Sequence, residues 1–392
     1  VGTELSPLVP IDSNENPGGS YVNESRYALN LTYQQPAMKG TWTSLFSATQ
    51  SSQEVLRGFL VDVSTVNPNA VGFRQDIPVT DLYLDSHVSF PLAKQLNLVT
   101  GVDYLYGNGK VAGGDFDYFV NLNGDDPPNG NDIPSQSDVE IKDVRNFAGA
   151  YGQFRWDPLK AWHFELGLRL NYTDESRKVN AVEFGSGVTV DEDDSQTIWR
   201  GSGYAGFTWT AWQQGVEALY LYADYRNTFK PAVVDFGLDA EPEILQPETA
   251  QSFEVGVKSR MLGGKLAIDF SAFQMNFQNL VVSQNVGGIP TLENAGHERF
   301  RGLEIASGWQ INPTLAMRAG YSLHDARFTD YVTEFGGVPT DLDGNQLEMS
   351  ARNMAFMGFV YARDMGWQGS LQSNYVGPRY LNKRNTAQVG SY

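Results

Sequence analysis

Apolar and polar residues alternate along many segments of this chain. The clearest case follows the third of its short turns, where one phase is apolar throughout: Phe164, Leu166, Leu168, Leu170 and Tyr172. The other phase is polar or small: Glu165, Gly167, Arg169, Asn171 and Thr173. Because successive side chains of a strand point to opposite sides, this pattern predicts amphipathic β-strands.

The predicted strands form pairs joined by short turns, and long polar links separate the pairs. The turns bear Pro or Gly and lie at 35–40, 91–94, 157–160, 211–215, 262–264, 311–314 and 364–366. The long links lie at 51–80, 107–143, 174–196, 228–250, 279–298 and 327–349. Outer-membrane barrels place short turns in the periplasm and long loops outside. The rhythm therefore predicts an all-β, antiparallel transmembrane β-barrel of known orientation.

We predict about fourteen strands in this chain. They lie near 25–35, 40–50, 81–90, 95–106, 144–156, 161–173, 197–210, 215–227, 250–261, 264–278, 299–310, 314–326, 350–361 and 366–376. One of them is irregular, because the apolar phase of Leu266–Ala272 gives way to the opposite phase in Phe273, Met275 and Phe277. A β-bulge or an extension beyond the bilayer would shift the phase in this way.

Alternation alone leaves two architectures open. In a half-buried soluble sheet the apolar face is the inside, whereas in a wide membrane barrel it meets lipid. Tryptophan position favours the membrane, because tryptophan prefers the interface, where its ring is buried and its N–H stays wet. Seven tryptophans lie near short turns and form the predicted membrane-interface girdle: Trp42, Trp156, Trp162, Trp209, Trp212, Trp309 and Trp367.

Composition narrows the possible partners. The 392 residues have a formal charge of −18, which argues against a nucleic-acid partner. No run of eighteen apolar residues is present, so the sequence predicts no transmembrane helix. The chain has no cysteine, which fits passage through an oxidising periplasm.

A block of motifs in the second half resembles TonB-dependent outer-membrane receptors. The stretch Leu245–Lys258 reads LQPETAQSFEVGVK and is similar to the "PET…S.E.G.K" strand entry of that family. Other family-like stretches follow in the same order: Gly264-Lys265-Leu266, Asn294-Ala295-Gly296, Arg301-Gly302-Leu303-Glu304 and Tyr321–Phe328. Upstream, Tyr220–Pro231 resembles the family's "Y.S.G.KP" hairpin exit, with Asn227-Thr228 in place of the usual small residues. The resemblance is strong over 197–392 and rests on rhythm alone over 1–196.

The resemblance implies a 22-stranded barrel closed by an N-terminal plug, with a segment that engages a TonB-type energy-coupling complex. On this basis we expect residues 1–392 to be a partial barrel domain, roughly the sixth to nineteenth strands, without the plug. An open sheet has two unpaired edges, so we expect the isolated chain to aggregate or stay unfolded in detergent. Gly256 and Gly302 fall on the inward phase, where a plug or a bent strand would approach closely.

No catalytic or metal-binding constellation is evident, so we predict no enzyme activity, no cofactor and no metal. The histidines His87, His163, His297 and His324 are scattered, without a partner at metal-ligand spacing. Acidic residues cluster at Asp191–Asp194 and at Asp115, Asp117, Asp125, Asp126 and Asp132. They supply the oxygen ligands that divalent cations prefer, but charge that keeps a loop in water is the favoured interpretation.

The leading functional prediction is energy-coupled uptake of a scarce ligand, most often a ferric siderophore in this family, at the outer membrane of a Gram-negative bacterium. The predicted partners are membrane lipid and lipopolysaccharide, the TonB-type complex and the ligand. Aromatic and cationic residues of the long links are candidate ligand contacts. These are Phe73, Arg74, Phe116, Tyr118, Phe119, Phe335 and Arg352. A passive porin is the alternative, and a soluble propeller or secreted binding module is a third class.

Overall fold

The described part of the chain contains twenty strands and one short 3-10 helix. The computed structural model describes residues 15–63, 66–231, 244–286, 289–335 and 338–392. The strands are β1 Tyr21–Ala37, β2 Gly40–Leu60, β3 Ala70–Ala93, β4 Leu96–Tyr118, β5 Ser137–Leu159, β6 Trp162–Glu183, β7 Thr189–Gln214, β8 Glu217–Lys230, β9 Glu248–Met261, β10 Leu266–Gln278, β11 Val281–Val286, β12 Ile289–Asn294, β13 His297–Asn312, β14 Leu315–Asp330, β15 Val332–Phe335, β16 Val338–Asp341, β17 Asn353–Ala362, β18 Gln368–Val376, β19 Arg379–Tyr380 and β20 Gln388–Val389. The 3-10 helix is Gly130–Asp132.

Fourteen of these strands form one antiparallel sheet in which neighbours in sequence are neighbours in space. Its order is β1-β2-β3-β4-β5-β6-β7-β8-β9-β10-β13-β14-β17-β18. The other six strands form three small hairpins, β11–β12, β15–β16 and β19–β20, inside the long links and near the end of the chain. The predicted number and order of the sheet strands are therefore confirmed, whereas the three hairpins were not predicted.

The short turns lie where the sequence places them. Between β1 and β2, Met38 and Lys39 adopt φ of 50° and 62°, the left-handed conformation that tight hairpin turns require. Between β9 and β10, Leu262 and two glycines have φ of 58°, 67° and 84°. Since left-handed turns match the twist of the flanking strands, these hairpins join adjacent strands without splaying them.

Several strands in the first half of the sheet are much longer than predicted, and the links between them are correspondingly short, whereas β9, β10, β17 and β18 have about the predicted length. β6 runs to Glu183 rather than to about residue 173, and β7 begins at Thr189 rather than near 197. The predicted link at 174–196 thus shrinks to residues 184–188. The extra length is mostly polar on the side that bears Phe164 and Tyr172, and apolar residues such as Ile141 and Val179 lie on the opposite side, so the apolar phase of the membrane segment does not continue into it.

The two sides of the sheet keep their identity along this full length. We call the side that bears Phe164 and Tyr172 the outer face and the opposite side the inner face. The β5–β6 pairing is continuous from Trp156↔Phe164 to Ser137↔Glu183. Because pairing without a shift preserves the alternation, each residue of the polar extension can be assigned to one face.

The apolar part of the outer face has the height of a bilayer core. On β6 it extends from Trp162 to Tyr172, and Leu166, Leu168 and Leu170 between them are 43%, 60% and 50% exposed. At ~3.3 Å per residue and a tilt of ~40°, this segment rises about 25 Å along the membrane normal, the usual height of a barrel's apolar band. No helix in the described ranges is long and apolar enough to cross a membrane.

The irregular strand β10 contains no bulge. Its register with β9 and with β13 is unbroken from Leu266 to Gln278. Phe273 lies opposite Gly302 on the inner face, and its ring is 5.5 Å from that of His324. The change of phase is therefore a change of side-chain character along a regular strand.

Cross-strand aromatic rings cover the two glycines that the sequence singles out. A Cβ on Gly256 would lie 2.4 Å from the ring of Tyr222, the residue directly opposite on β8. A Cβ on Gly302 would lie 2.2 Å from the carbonyl oxygen of Leu323 and 2.9 Å from the ring of Phe273. Within the described residues, the close approach is thus made by neighbouring strands and their rings.

Tight packing occurs mainly at the long-link end. One cluster has Val111, Val139, Ile141 and Val179 at its centre; a second has Leu56, Ala70, Phe116, Tyr118 and Val120; and a third has Ala295, Phe328, Tyr331 and Leu342. Each cluster joins strand extensions or links, so the polar end of the sheet is held by local cores.

Candidate functional site

Three candidate ligand contacts pack beneath the link that joins β4 to β5. Phe116 is fully buried, and the Arg74 guanidinium lies 4.5 Å from its ring centre. Arg74 also donates hydrogen bonds to Ser135 Oγ at 2.9 Å and to the carbonyl oxygens of Gly130 and Ile133. Because Arg74 and Phe116 are in the phase of the outer face, they hold residues 119–136 against that side of the sheet.

The same link is fixed at its start by two buried polar groups. The Asn69 side chain accepts a hydrogen bond from Val120 N at 2.8 Å and donates one to Val120 O at 2.9 Å. Tyr118 donates its hydroxyl to the carbonyl oxygen of Glu15 at 2.5 Å. Burial, followed by the nearby Glu15 carboxylate, raises the pKa of Tyr118 well above its usual range. Tyr118 therefore stays a neutral donor at physiological pH.

The remaining candidate contacts lie apart from one another. Phe73 is on the inner face, where it packs against the Val111 cluster and stacks with Phe59 at 6.1 Å. Phe335 packs against the Phe328 cluster, with the Arg384 guanidinium 4.6 Å from its ring centre. Phe119 is half-buried and Arg352 is exposed. Whether any of the seven residues contacts a ligand stays a prediction, since the structure gathers only Arg74, Phe116 and Tyr118 into one group.

The inner face of β3 to β7 carries a connected polar network. Asp85 accepts hydrogen bonds from the Tyr151 hydroxyl at 2.6 Å and pairs with His87 Nδ1 at 2.6 Å. Beside it, Arg169 forms a two-pronged pair with Asp103, at 2.5 and 2.7 Å. A cavity of about 550 Å³ borders Asp85, Asp103 and Arg169. A polar solute that moves along the inner face would meet these groups.

The network continues from Asn171, toward the long-link end of the sheet, into a group of buried charged residues. Arg169 donates to Asn171, and Asn171 donates to Ser202 Oγ at 3.0 Å. Further along, Arg145 donates two hydrogen bonds to Glu175, at 2.8 and 2.7 Å. Asp143 is 3% exposed and lies 4.0 Å from Arg177.

Asp143 is the least satisfied carboxylate of this group. Burial, the adjacent Glu175 carboxylate and a hydrogen bond with it raise the pKa of Asp143 to about 7, against the opposing charges of Arg145 and Arg177. Two carboxyl groups and two guanidinium groups thus lie together in one buried position on the inner face. Their mutual pairing holds the extensions of β5 and β6 together.

A second buried ionic group links the hairpins of the long-link end. Lys383 is 3.1 Å from Glu293 and 3.3 Å from the Tyr331 hydroxyl, which itself donates to Glu293. Glu298 is 1% exposed, and neither carboxylate oxygen has a hydrogen-bond partner among the described residues. Burial and the charge of Glu248 raise the pKa of Glu298 to about 8, which Lys383 opposes. Glu298 is therefore largely protonated at neutral pH.

The acidic stretches make ordinary contacts. Lys178 lies 3.3 Å from Asp191 and 3.7 Å from Asp193, and Asp194 accepts a hydrogen bond from Ile244 N at 2.7 Å. In the part of the chain that the structure describes, no three metal-ligating side chains come together. The favoured interpretation of these stretches as solvated charge remains compatible with the geometry.

The seven predicted girdle tryptophans lie at the short-turn end of the sheet. Six of them are exposed: Trp156, Trp162, Trp209, Trp212, Trp309 and Trp367. Trp42 is half-buried and donates its Nε1–H to Ser86 Oγ at 2.9 Å. The remaining tryptophan, Trp199, is 66% exposed and packs on Tyr172 at 4.8 Å, at the opposite edge of the apolar band. Sequence reasoning missed this second aromatic position because it lies far from every short turn.

The family model and the similar proteins point to the same family. The model of the family "TonB dependent receptor-like, beta-barrel" matches residues 5–392. The chain is 26% identical over 310 residues to the ferrichrome outer membrane transporter/phage receptor of Escherichia coli K12, which covers 75% of this chain and 38% of that protein. It is 25% identical over 234 residues to the ferrioxamine receptor of Yersinia enterocolitica, which covers 60% and 30%.

A solved structure shows the same fold. The ferric yersiniabactin uptake receptor of Yersinia pestis superposes with a TM-score of 0.71 at 16% identity, over 97% of this chain and 54% of that one. The chain therefore spans about a third of the two curated relatives and about half of this structure.

Proposed function

This chain belongs to the TonB-dependent receptor-like β-barrel family, and we propose that it forms part of the wall of an outer-membrane receptor that imports a ferric siderophore. The single observation that carries the proposal is the family match over residues 5–392. The ligand class follows from relatives named for ferrichrome and ferrioxamine. We place the receptor in the outer membrane of a Gram-negative bacterium, because its relatives are outer-membrane receptors. The family consists of receptors and transporters, so the proposed activity breaks no bond in its substrate.

In this proposal residues 1–392 are barrel wall, and the plug and the segment that engages the TonB-type complex belong to the whole receptor. The lipid-facing surface is the apolar outer face, and the inner face lines the route of the ligand. The network of Asp85, Asp103 and Arg169 supports the second assignment, because it presents paired charges on a face that lacks an apolar band. Paired and hydrogen-bonded charges line a polar passage without the cost of isolated ones.

The test is uptake by the intact receptor. Cells that lack the receptor gene are compared with complemented cells under iron limitation, using radiolabelled ferric hydroxamates such as ferrichrome. Receptor-dependent uptake that stops when the TonB-type complex is removed supports the proposal. Diffusion of small solutes that persists without energy coupling would instead support a porin, and accumulation of neither label nor solute would reject both.

A further inference from the structure

Three links fold against one another at the long-link end of the sheet. The first link, 279–296, joins β10 to β13; the second, 331–352, joins β14 to β17; and the third, 377–392, follows β18. Between the second and third links, Gln346 N donates to Asn385 Oδ1 and Asn385 Nδ2 donates to Gln346 O, both at 2.8 Å. These two links therefore hold each other directly, beyond the pairing of the sheet.

The first link joins this pair through an apolar core. Ala295 packs in one cluster with Tyr331 and Leu342 of the second link and with Phe328, near the end of β14. Phe328 lies opposite Glu298, in the phase of the inner face. Since the core is built on that side, the three links fold over the inner face, whereas the link between β4 and β5 packs against the outer face.

One buried lysine connects all three links. Lys383 of the third link donates to Glu293 of the first at 3.1 Å and to the Tyr331 hydroxyl of the second at 3.3 Å. Tyr331 also donates to Glu293, so that ammonium, phenol and carboxylate form a closed triangle. Lys383 is 9% exposed and Tyr331 is 4% exposed. Because a buried charge without its partner is strongly destabilising, no one of these links can leave while the other two stay in place.

We propose that the three links form one lid over the inner face and that Lys383 is its latch. The lid opens and closes as a single body, since the departure of any link breaks the triangle or exposes the shared core. A solute that contacts one link therefore changes the position of all three. The inference rests on the proposed function, because a lid matters only where the inner face lines the route of a ligand.

Hydrogen–deuterium exchange on the folded full-length receptor tests the coupling. The decisive variant is N385G, because among the described residues the side chain of Asn385 bonds only within the second and third links. Glycine tolerates the left-handed backbone of this residue, with φ of 57°. In the first link, exchange at Ala295 N, which donates to Leu280 O at 2.8 Å, should become at least about tenfold faster.

The control for exchange is K110Q, which breaks an exposed ion pair with Glu140 between β4 and β5. It should leave exchange at Ala295 N unchanged. Faster exchange in N385G that is confined to the second and third links would overturn the single-body lid.

Access to the inner face tests the latch. The chain has no cysteine, and Ser322 lies on the inner face opposite Glu304. In a full-length receptor without other cysteines, S322C is labelled with a polyethylene-glycol maleimide, alone and combined with K383M or K110Q. K383M should speed labelling at least about tenfold, since it leaves Glu293 without its cation. K383M/E293Q should recover part of the slow rate, and K110Q should change nothing. Equal labelling with and without K383M would overturn the latch.

The lid and the proposed function fail in different assays. Heat-modifiable migration on a gel shows that each variant is folded, and K383Q takes the place of K383M if the latter fails this check. Uptake of radiolabelled ferrichrome by the wild type is scored separately. Absence of uptake counts against the proposed function, whereas uptake by a receptor whose links exchange independently rejects only the lid.

Discussion

Replacing Arg74 should release the link at residues 119–136 without unfolding the sheet. The side chain donates three hydrogen bonds into that link and lies over the buried ring of Phe116. At roughly 1 kcal/mol net for each hydrogen bond, the substitution R74A removes about 3 kcal/mol of link stability. The cation–π contact adds about 1 kcal/mol more. Lysine restores only part of this, because its ammonium group lacks the guanidinium fork.

Hydrogen–deuterium exchange on the folded full-length receptor measures this local stability directly. Since about 1.4 kcal/mol corresponds to a tenfold change, amides within the link should exchange about a hundredfold faster or more in R74A. Suitable reporters are Gly130 N, bonded to Gly18 O at 2.9 Å, and Asp132 N, bonded to Asn129 O at 3.1 Å. R363A serves as the control because that side chain is exposed at the short-turn end. Unchanged exchange at these amides in R74A would refute the reasoning.

Three further predictions, also for the folded full-length receptor, use other parts of the described chain. Glu298 binds its proton more tightly in the folded state than in the unfolded state. The free energy of unfolding should therefore fall by at most about 5 kcal/mol as pH rises from about 4.5 to 8. Urea titrations across that range should show this fall in the wild type and a flatter profile in E298Q. G302A should cost about 1–3 kcal/mol because its Cβ meets backbone at 2.2 Å, whereas G308A, with open space around its Cβ, should lower the urea midpoint far less. R169Q should lower the free energy of unfolding by about 3–5 kcal/mol, because it leaves the Asp103 carboxylate, 5% exposed, without its partner. R169Q/D103N should recover part of that free energy in the same assay.

The sequence predicts the membrane-spanning parts of the strands but not their extensions beyond the apolar band. Both outcomes depend on what the outer face of a strand contacts. Leu166 to Tyr172 must alternate because one side of the strand faces hydrocarbon and the other faces polar groups. From Asp174 to Glu183 that requirement ends: the outer face becomes mostly polar, and Val179 and Ala181 pack on the inner face. The strand continues because its partner continues, with Lys142 opposite Lys178 and Ser137 opposite Glu183. Pairing of this kind leaves little trace in the periodicity of one segment.

The candidate contacts show the same limit in another form. Arg74 and Phe116 are plausible ligand contacts when they are viewed as loop residues, since aromatic and cationic groups recognise many chelates. In the structure they are strand residues, and Gly72 lies directly opposite Phe116. The missing side chain at Gly72 leaves the space that the ring fills, because a Cβ there would lie 2.3 Å from it. That relation needs the β3–β4 register, which composition and motif spacing do not specify.

Register also explains why the sequence did not reveal one charged surface, the group of Arg299, Arg301 and Arg327 on the outer face. Arg301 and Arg327 belong to separate motifs in the sequence, and Arg299 belongs to neither. Antiparallel pairing of β13 and β14 brings His297 to Asp330 at one end and Asn312 to Leu315 at the other, so these arginines must meet near the long-link end. Alternation then puts all three on the side that carries Leu303 and Ile305. The charge of each residue can be read from the sequence, but the local concentration of positive charge arises from the pairing of the strands. A charged surface at the rim of a β-sheet is therefore best sought after register is known, one cross-strand row at a time.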